Sequence, residues 1–292
     1  MSLLDDYDAL LFDLDGTIYR GEEAVPGADR AVDAAHRSGT KVRFVTNNAS
    51  RGPDEVASHL TELGIQAVPE EVSTSAQAAA AVLAEKLEPG TTVLVIGTDS
   101  LAHEVELRGL TTTRVHSDDV QAVVQGLNKN TDWHDFAEAC IAIRKGALWV
   151  ACNIDPTLPT ERGPLPGNGS MVAVLRTATA TEPLVAGKPA TPLMDEAVRS
   201  ADAERPLVIG DRLDTDIAGA VAAGLDSLLV LTGVATAQDL LDAPADMRPT
   251  YVSHDVEAVT RDAAELRIDH TKDWQDAVRE TLARLGLEHE VA

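Results

Sequence analysis

The sequence predicts an α/β fold in which a parallel sheet with crossover helices is interrupted by an inserted α/β segment. Near the amino end, short apolar runs alternate with helical patterns in the order strand, helix, strand, helix. The same alternation returns after residue 206, and the segment between the two blocks has enough elements for a core of its own. This alternation is typical of a parallel sheet, because each crossover helix returns the chain to the same edge. With 292 residues, the chain is long enough for one large or two ordinary domains.

The first block is predicted from apolar runs and from residues that begin or end helices. Its elements are a strand over 9–15, a helix over 28–39, a strand over 41–48 and a helix over 53–64. Gly39 ends the first helix, since glycine is common just past a helix. Pro53 opens the second helix, because its fixed φ suits the first turn.

The inserted segment and the final block follow the same logic. The insertion is predicted to hold strands over 92–98, 120–128 and 147–153, helices over 133–146 and 171–180, and a loop rich in proline and glycine over 154–170. The final block is predicted to hold a strand over 207–214, a helix over 215–224 and a strand over 226–233. A last helix over 269–286 has apolar residues at helical spacing. We interpret it as packed on the body of the protein, with an interface of a homodimer as the alternative.

Composition and charge exclude several classes of partner. The net charge of -24 argues against nucleic acid and anionic membranes. Solvated helix faces explain this acidity most simply, and adaptation to high salt is the alternative.

The start MSLLDDYD is acidic where a signal peptide is basic, and no apolar run reaches membrane-spanning length. Cys140 and Cys152 match neither a disulfide framework nor a metal-ligand spacing, so we interpret both as packing residues. We therefore expect a cytoplasmic protein.

Two aspartates, Asp13 and Asp15, end the first predicted strand in the sequence DLDGT. Strand residues two apart point the same way, and ligands bind at the carboxyl edge of a parallel sheet. A helix N-cap would need only one aspartate. Two close carboxylates repel unless a cation lies nearby or one is protonated. Mg²⁺, which prefers oxygen ligands, meets this need.

A second acidic cluster follows a later predicted strand, in the sequence LVIGDRLDTD. It contains Asp211, Asp214 and Asp216, and Asp211 again stands at the carboxyl end of its strand. The sequence therefore predicts a metal site shared between Asp13 and Asp211.

Donors for a phosphate group are found at two other places. The sequence FVTNN supplies Thr46, Asn47 and Asn48 at the end of a predicted strand, although threonine and asparagine there also begin turns. The sequence AGKPA supplies Lys188. A lone lysine is usually a solvated charge. The flanking glycine and proline could fix the backbone of this one and so direct its side chain.

The motifs DLDGT, FVTNN, GKP and GDRLDTD occur in this order, with a long insertion between the second and the third. In this order they resemble the haloacid dehalogenase-like (HAD) phosphatases. More narrowly, they resemble the type II A subfamily of nitrophenylphosphatase-like, phosphoglycolate and glycerol-phosphate phosphatases. The resemblance extends from about Asp8 to about His254. It implies a Rossmann-like HAD core with a parallel sheet and an inserted α/β cap domain, hydrolysis of phosphate monoesters, and Mg²⁺ as cofactor.

The resemblance also implies roles and domain boundaries. Asp13 matches the nucleophile that becomes an aspartyl phosphate, and Asp15 matches the general acid/base. The implied phosphate-binding residues are Gly16, Thr46, Asn47, Asn48 and Lys188. The implied metal ligands are Asp13, the backbone carbonyl of Asp15, Asp211 and Asp216, the last either as a ligand or just outside the ligand shell. With the element pattern, the resemblance gives a core over 1–75 and 183–265 and a cap over 76–182. A helical tail over 266–292, expected from its apolar spacing, follows.

The leaving group is the least specified part of the expected substrate. The loop TLPTERGPLPGNGS resembles that of glycerol-phosphate phosphatases, and it offers polar side chains but few aromatic faces. Glycerol 3-phosphate is therefore the first expectation and 2-phosphoglycolate the second. Asn128 stands where many relatives have an aspartate. This difference weakens the argument that this chain acts on the same substrates as those relatives. Other sugar or nucleotide phosphates and a phosphoryl transferase such as a mutase remain alternatives. A non-catalytic binding module would be expected to lack Asp13, Asp15 or Lys188.

Overall fold

A computed structural model describes residues 1–160 and 162–287. Glu161 of the predicted loop and the last five residues of the predicted tail lie outside the described residues. The strands are β1 (Ala9–Phe12), β2 (Tyr19–Arg20), β3 (Glu23–Ala24), β4 (Lys41–Thr46), β5 (Val72–Thr74), β6 (Thr92–Ile96), β7 (Thr111–Thr113), β8 (Val120–Gln125), β9 (Leu148–Ala151), β10 (Thr157–Leu158), β11 (Leu165–Pro166), β12 (Leu184–Val185), β13 (Pro206–Gly210), β14 (Asp226–Val230) and β15 (Tyr251–Ser253).

The α-helices are α1 (Leu3–Asp6), α2 (Ala28–Ser38), α3 (Pro53–Glu62), α4 (Ser75–Lys86), α5 (Asp99–Leu107), α6 (Trp133–Arg144), α7 (Asn168–Thr179), α8 (Pro192–Ala201), α9 (Ala218–Ala223), α10 (Ala237–Leu241), α11 (Ala263–Leu266) and α12 (Trp274–Arg284). A π-helical turn, Leu213–Ile217, leads directly into α9. Short 3₁₀ turns lie at Pro69–Glu71, Ala245–Met247 and Val256–Thr260.

Among the described residues, six strands form a sheet in the order β15-β14-β13-β1-β4-β5. Parallel pairs join β1 to β13 and to β4, and join β14 to β13 and to β15. Every residue of β1 is buried, as expected for a central strand covered on both faces. The strand order places β1 directly beside β13, so the residues that follow these two strands become neighbours.

A second parallel sheet has the order β12-β9-β8-β6-β7 within the described chain. All its adjacent pairs are parallel. Helices α6 and α7 cover one face, where Val123 and Trp149 pack with Leu175 in an apolar cluster. The predicted α/β class with parallel sheets is confirmed.

The described residues divide into two compact units. One contains Met1–Val45, Ala57–Val72 and the residues from Ala197 onwards, and the other contains Thr46–Val56 and Ser73–Glu196. The boundaries predicted for the core, cap and tail remain predictions.

Helix α4 is an element that the sequence patterns left unassigned. Its residues Ala78, Ala79 and Ala80 are all fully buried, and so is Leu83. A helix buried on most of its surface has no polar stripe and therefore lacks the periodic signal of an amphipathic helix. Its capping pattern is present, because the Thr74 side chain accepts a hydrogen bond from the Gln77 N–H.

The tail helix α12 packs against the body of its unit, as we interpreted it from its spacing. Trp274, Val278 and Leu282 join an apolar cluster that includes Leu240 of α10. The Trp274 Nε1–H donates a hydrogen bond of 2.9 Å to the Leu240 carbonyl. Within the part of the chain that the structure describes, no helix has the length and apolar character needed to cross a membrane.

Candidate active site

Three carboxylates converge where β1 and β13 end. Asp13 follows β1 and Asp211 follows β13, while Asp216 lies in the π-helical turn just beyond. One oxygen from each of Asp13, Asp211 and Asp216 lies within 4.8 Å of the others. Their proximity follows from the parallel pairing of β1 with β13, which the Asp13 N–H extends by donating to the Ile209 carbonyl at 2.8 Å. We refer to these three residues as the carboxylate cluster.

Backbone donors and two glycines hold Asp211 within this cluster. The Val234 N–H donates to Asp211 Oδ2 at 2.7 Å, and the Ala235 N–H donates to the Asp211 carbonyl at 3.0 Å. A Cβ on either Gly16 or Gly233 would overlap the Asp211 carboxylate. The side chain therefore occupies space that only glycine leaves open.

Asp216 is held in a similar way. The Arg212 N–H donates to Asp216 Oδ2 at 3.1 Å, and a Cβ on Gly210 would overlap the Asp216 side chain. Asp214 is exposed instead. It forms two hydrogen bonds with the Arg212 guanidinium, of 3.0 and 2.8 Å, which hold the pKa of its carboxyl below the usual value.

The turn after β1 places Asp15 at the surface. Asp15 is exposed, and the next residue, Gly16, has a φ of +92°, which favours glycine. The Gly16 N–H donates to the Tyr19 carbonyl at 2.8 Å, and the Thr232 hydroxyl donates to the Gly16 carbonyl at 2.7 Å.

Thr232, Gly233 and Val234, in the loop after β14, were not among the predicted site residues. Their signal was a predicted strand over 226–233 that ends in Thr-Gly, beside the strand that leads to Asp211. Loops at the carboxyl ends of neighbouring parallel strands meet at one edge, so this loop was a candidate on topology alone.

The carboxylate cluster fits a divalent cation with a preference for oxygen ligands. Asp211 is 0% exposed and Asp216 is 1% exposed. Buried carboxylates are costly and repel one another unless a positive charge compensates them. Mg²⁺ binds through one or two protein carboxylates together with water and phosphate oxygens. The chemistry and burial of these donors therefore match the predicted cofactor.

A second group of polar residues surrounds Lys188, which is 2% exposed. The Asn47 side-chain amide forms hydrogen bonds with both the backbone N–H and the backbone carbonyl of this lysine. Asn47 Oδ1 accepts a hydrogen bond from the Lys188 N–H at 2.8 Å, and Asn47 Nδ2 donates to the Lys188 carbonyl at 3.0 Å. Residues 141 positions apart in the sequence are thus joined by two hydrogen bonds.

Asn47 is itself held by three other side chains. Its Nδ2 also donates to Asp155 Oδ2 at 3.1 Å. Its carbonyl accepts from the Ser75 hydroxyl at 2.6 Å and from Asn153 Nδ2 at 2.7 Å. Ser75 and Asn153 are buried.

Thr46 and Asn48 form the turn that follows β4. Thr46 is buried, and its Oγ1 accepts a hydrogen bond from the Asn48 N–H at 3.1 Å. Asn48 is exposed, and its Oδ1 accepts from the Ser50 N–H at 2.8 Å. The Asn48 side-chain oxygen therefore stabilises the turn.

The predicted loop over 154–170 contains the short β10–β11 hairpin. Its polar residues differ in their accessibility. Asn168 is buried and donates to the Asn153 carbonyl at 2.7 Å, whereas Thr157 and Arg162 are exposed. Asn128 also bonds to backbone, because its Nδ2 donates to the Gly97 carbonyl at 2.9 Å.

Known families and proteins match most of this chain. A family model described as haloacid dehalogenase-like hydrolase matches residues 10–111, and a HAD-hydrolase-like model matches residues 185–259. The chain is 55% identical over 274 residues to the D-glycerol 3-phosphate phosphatase of Mycobacterium tuberculosis, covering 94% of this chain and 77% of that protein. It is 39% identical to a 5′-nucleotidase of Bacillus subtilis, covering 84% of this chain and 94% of that protein.

This chain is also similar to a solved structure. The crystal structure of the glycerol phosphate phosphatase of Mycobacterium tuberculosis in complex with magnesium has a TM-score of 0.89 to this chain at 55% identity. The match covers 92% of this chain and 81% of that one.

Proposed function

Because this chain belongs to the haloacid dehalogenase-like hydrolase family, we propose that it is a Mg²⁺-dependent phosphatase whose preferred substrate is glycerol 3-phosphate. The carboxylate cluster carries the proposal. It combines an aspartate suited to attack phosphorus with two buried aspartates suited to a cation. A carboxylate is an established type of nucleophile for phosphoryl groups.

We assign the chemical steps to two aspartates of the DLDGT turn. Asp13 attacks the phosphorus atom, and the bond from phosphorus to the leaving alkoxide breaks as the bond to Asp13 forms. Asp15 gives a proton to the alkoxide. Asp15 then takes a proton from water as the water oxygen attacks the phosphorus atom. The bond from phosphorus to Asp13 breaks, which releases inorganic phosphate and restores the Asp13 carboxylate. The exposure of Asp15 is compatible with these proton transfers.

Asp13, Asp211, Asp216 and the backbone carbonyl of Asp15 are the residues that would hold Mg²⁺. When bound, the cation neutralises charge on the phosphoryl oxygens and compensates the repulsion among the carboxylates. The protein's own contribution is to keep the carboxylate cluster assembled. The loop containing Thr232 and Val234 does this through hydrogen bonds to Gly16 and Asp211.

The phosphate-binding residues in this proposal are Gly16, Thr46, Asn47, Asn48 and Lys188. Their assignment rests on the order of the sequence motifs. Lys188 is the strongest of them on physical grounds, because a buried ammonium group supplies a positive charge in a protein with a net charge of -24. Asn47 contributes by fixing the Lys188 backbone.

Glycerol 3-phosphate is preferred on two grounds. A protein that is 55% identical to this chain carries the name D-glycerol 3-phosphate phosphatase. In addition, the loop over 154–170 exposes the polar residues Thr157 and Arg162, which could hydrogen-bond to hydroxyl groups. If bound substrate buries these side chains, they would discriminate strongly against analogues that lack the hydroxyl, because their polar groups would be left unpaired.

The proposal is tested by steady-state kinetics at saturating Mg²⁺. The panel contains glycerol 3-phosphate, 2-phosphoglycolate, a sugar phosphate, a nucleoside 5′-monophosphate and pyridoxal phosphate. We expect the highest kcat/KM for glycerol 3-phosphate. A lead of tenfold or more for the nucleoside monophosphate or for pyridoxal phosphate, equivalent to about 1.4 kcal/mol of transition-state binding, would reject the substrate assignment but keep the phosphatase.

The same panel distinguishes hydrolysis from transfer. A phosphatase releases inorganic phosphate in equal amount to the alcohol, whereas a mutase returns the phosphoryl group to an organic acceptor. We also propose a cytoplasmic location and no nucleic-acid or membrane partner, on the basis of the acidic sequence.

A further inference from the structure

We infer that Asp155 is a positioning residue for phosphate binding, because it orients the Asn47 amide that fixes the backbone of Lys188. The inference rests on the proposed function, since it takes Lys188 as the residue that binds phosphate. It gives the start of the loop over 154–170 a role that is separate from recognition of the leaving group.

The position of the Lys188 ammonium depends on where its backbone lies. A lysine side chain is a flexible four-carbon stem, so its starting point and its surroundings decide where the charge is held. The two hydrogen bonds from the Asn47 amide fix the Lys188 N–H and the Lys188 carbonyl together. Lys188 is 2% exposed, which leaves its side chain little freedom to correct a displaced backbone.

Gly187 leaves the space that this arrangement needs. A Cβ at Gly187 would come within 2.6 Å of Asn47 Oδ1 and within 2.5 Å of the Cys152 carbonyl oxygen. Both approaches are closer than real Cβ atoms make. The close approach of Asn47 to the Lys188 backbone is therefore built into the local sequence.

The Asn47 amide can be placed in two ways that differ by exchange of its oxygen and nitrogen. In the observed orientation, Nδ2 faces two acceptors, Asp155 Oδ2 and the Lys188 carbonyl, while Oδ1 faces the Lys188 N–H. In the exchanged orientation, an oxygen would face both acceptors and an NH₂ group would face a donor. A carboxylate without a proton only accepts hydrogen bonds. Two acceptor oxygens, one from Asn47 and one from Asp155, would therefore face each other in the exchanged orientation, and their repulsion disfavours it.

The backbone of Asp155 is anchored to the same group of residues. The Asp155 N–H donates to Asn153 Oδ1 at 3.2 Å, and Asn153 Nδ2 donates to the Asn47 carbonyl at 2.7 Å. Asp155 therefore contacts Asn47 from a fixed position. Any group of similar shape that presents an acceptor oxygen to Asn47 Nδ2 would perform the same role.

The inference predicts a loss that does not depend on the leaving group. Asp155→Ala removes the acceptor, and we expect kcat/KM to fall by about tenfold to a hundredfold, by analogy with the loss of a hydrogen-bonding partner of a metal ligand. The factor should be the same for glycerol 3-phosphate and for p-nitrophenyl phosphate. The inhibition constant of inorganic phosphate should rise in parallel. Asp155→Asn retains an acceptor oxygen and should restore most of the activity.

A double-mutant cycle identifies the route through Asn47. If Asp155 acts through the Asn47 amide, adding Asp155→Ala to Asn47→Ala causes no further loss, whereas independent roles would give additive losses. Asp119→Ala serves as the matched control, because Asp119 is an exposed aspartate of the same compact unit. Thermal unfolding of each variant shows whether a loss comes from the fold.

Three outcomes would overturn the inference: an additive cycle, an Asp155→Ala variant as active as the Asp119→Ala control, or a loss confined to glycerol 3-phosphate. The last outcome would make Asp155 a residue that recognises the leaving group. Failure of the proposed function is distinguishable, because it would be an inactive wild-type protein. In that case calorimetric binding of inorganic phosphate in the presence of Mg²⁺ still compares wild type with Asp155→Ala.

Discussion

The backbone of Gly233 lies directly against the carboxylate of Asp211, so closely that a Cβ on Gly233 would overlap Asp211 Oδ2. The same oxygen accepts a hydrogen bond from the next residue, Val234, at 2.7 Å. The loop after β14 therefore shapes the position of a carboxylate that follows β13. Neither residue of this loop carries chemistry of its own.

Gly233→Ala is expected to displace Asp211 and to weaken Mg²⁺ binding by about tenfold to a hundredfold, as the loss of a supporting contact at a metal site does. The measurement is the Mg²⁺ concentration that gives half-maximal phosphatase activity, together with the rise in Tm that Mg²⁺ causes. Gly52→Ala is the control, because a Cβ there would meet only the Ser100 hydroxyl at 3.8 Å. A Gly233→Ala variant with the Mg²⁺ requirement of the control would contradict this prediction.

Asp13→Asn is expected to abolish turnover while the protein stays folded. An amide cannot form the covalent phosphoryl intermediate, so kcat should fall by more than about 10³-fold, the scale of losses when a nucleophile is removed. Phosphate release from glycerol 3-phosphate gives the rate, and circular dichroism with thermal unfolding gives the folded state. Folded Asp13→Asn protein with a rate near that of the wild type would exclude the covalent mechanism.

Asp211→Asn is expected to remove most of the response to Mg²⁺. A ligand that binds only the native state raises stability in proportion to RT ln(1 + [L]/Kd), so Mg²⁺ should raise the Tm of the wild type. The variant should show little rise at the same concentration and little activity. Chelation should inactivate the wild type, and added Mg²⁺ should restore it. Undiminished activity in protein verified to be metal-free would reject the site.

Glu104→Gln is expected to stabilise the protein at neutral pH. Burial raises the pKa of the Glu104 carboxyl, against the opposing effects of His103 and Arg108, and nearby Asp54 raises it further. The unfolded chain therefore ionises this group more easily, near pH 4.3, than the folded chain does. The free energy of unfolding of the wild type falls as the pH rises from the unfolded pKa through the folded pKa. Glutamine does not ionise, so the variant does not lose this stability.

The check on Glu104 is Tm as a function of pH. The Tm advantage of Glu104→Gln over the wild type should grow from pH 5 to pH 8 and should disappear as the pH approaches the unfolded value. Glu62→Gln is the control, because Glu62 is an exposed glutamate on α3. A variant that is less stable than the wild type across this range would show that the carboxylate makes a net favourable contact.

The fold class was predictable because its signals are local. Apolar runs, Gly39 after α2 and Pro53 at the start of α3 each act within a few residues. The predicted strands were too long at their carboxyl ends, since β1 stops at Phe12 and β4 at Thr46. Helix α4 gave no periodic signal, because it is buried on most of its surface and has no polar face.

The candidate site was predictable in its chemistry but not in its assembly. The sequence singled out Asp211, Asp214 and Asp216 equally by type. The structure separates them, since Asp216 joins the carboxylate cluster while Asp214 pairs with Arg212 and is exposed. The direction of each side chain depends on the π-helical turn after β13, and such turns are rare, so residue type alone did not predict this one.

By itself the sequence determined the alternation of strands and helices in the first and last blocks and the chemical groups that follow β1, β4 and β13. Both depend on local periodicity and residue type, which are written along the chain. Only the tertiary structure decided that Gly233 lies against Asp211 and that the Asn47 amide hydrogen-bonds to the backbone of Lys188. These contacts join residues far apart in the chain, and they exist because the parallel order of the strands and the space left by glycines bring the backbones together.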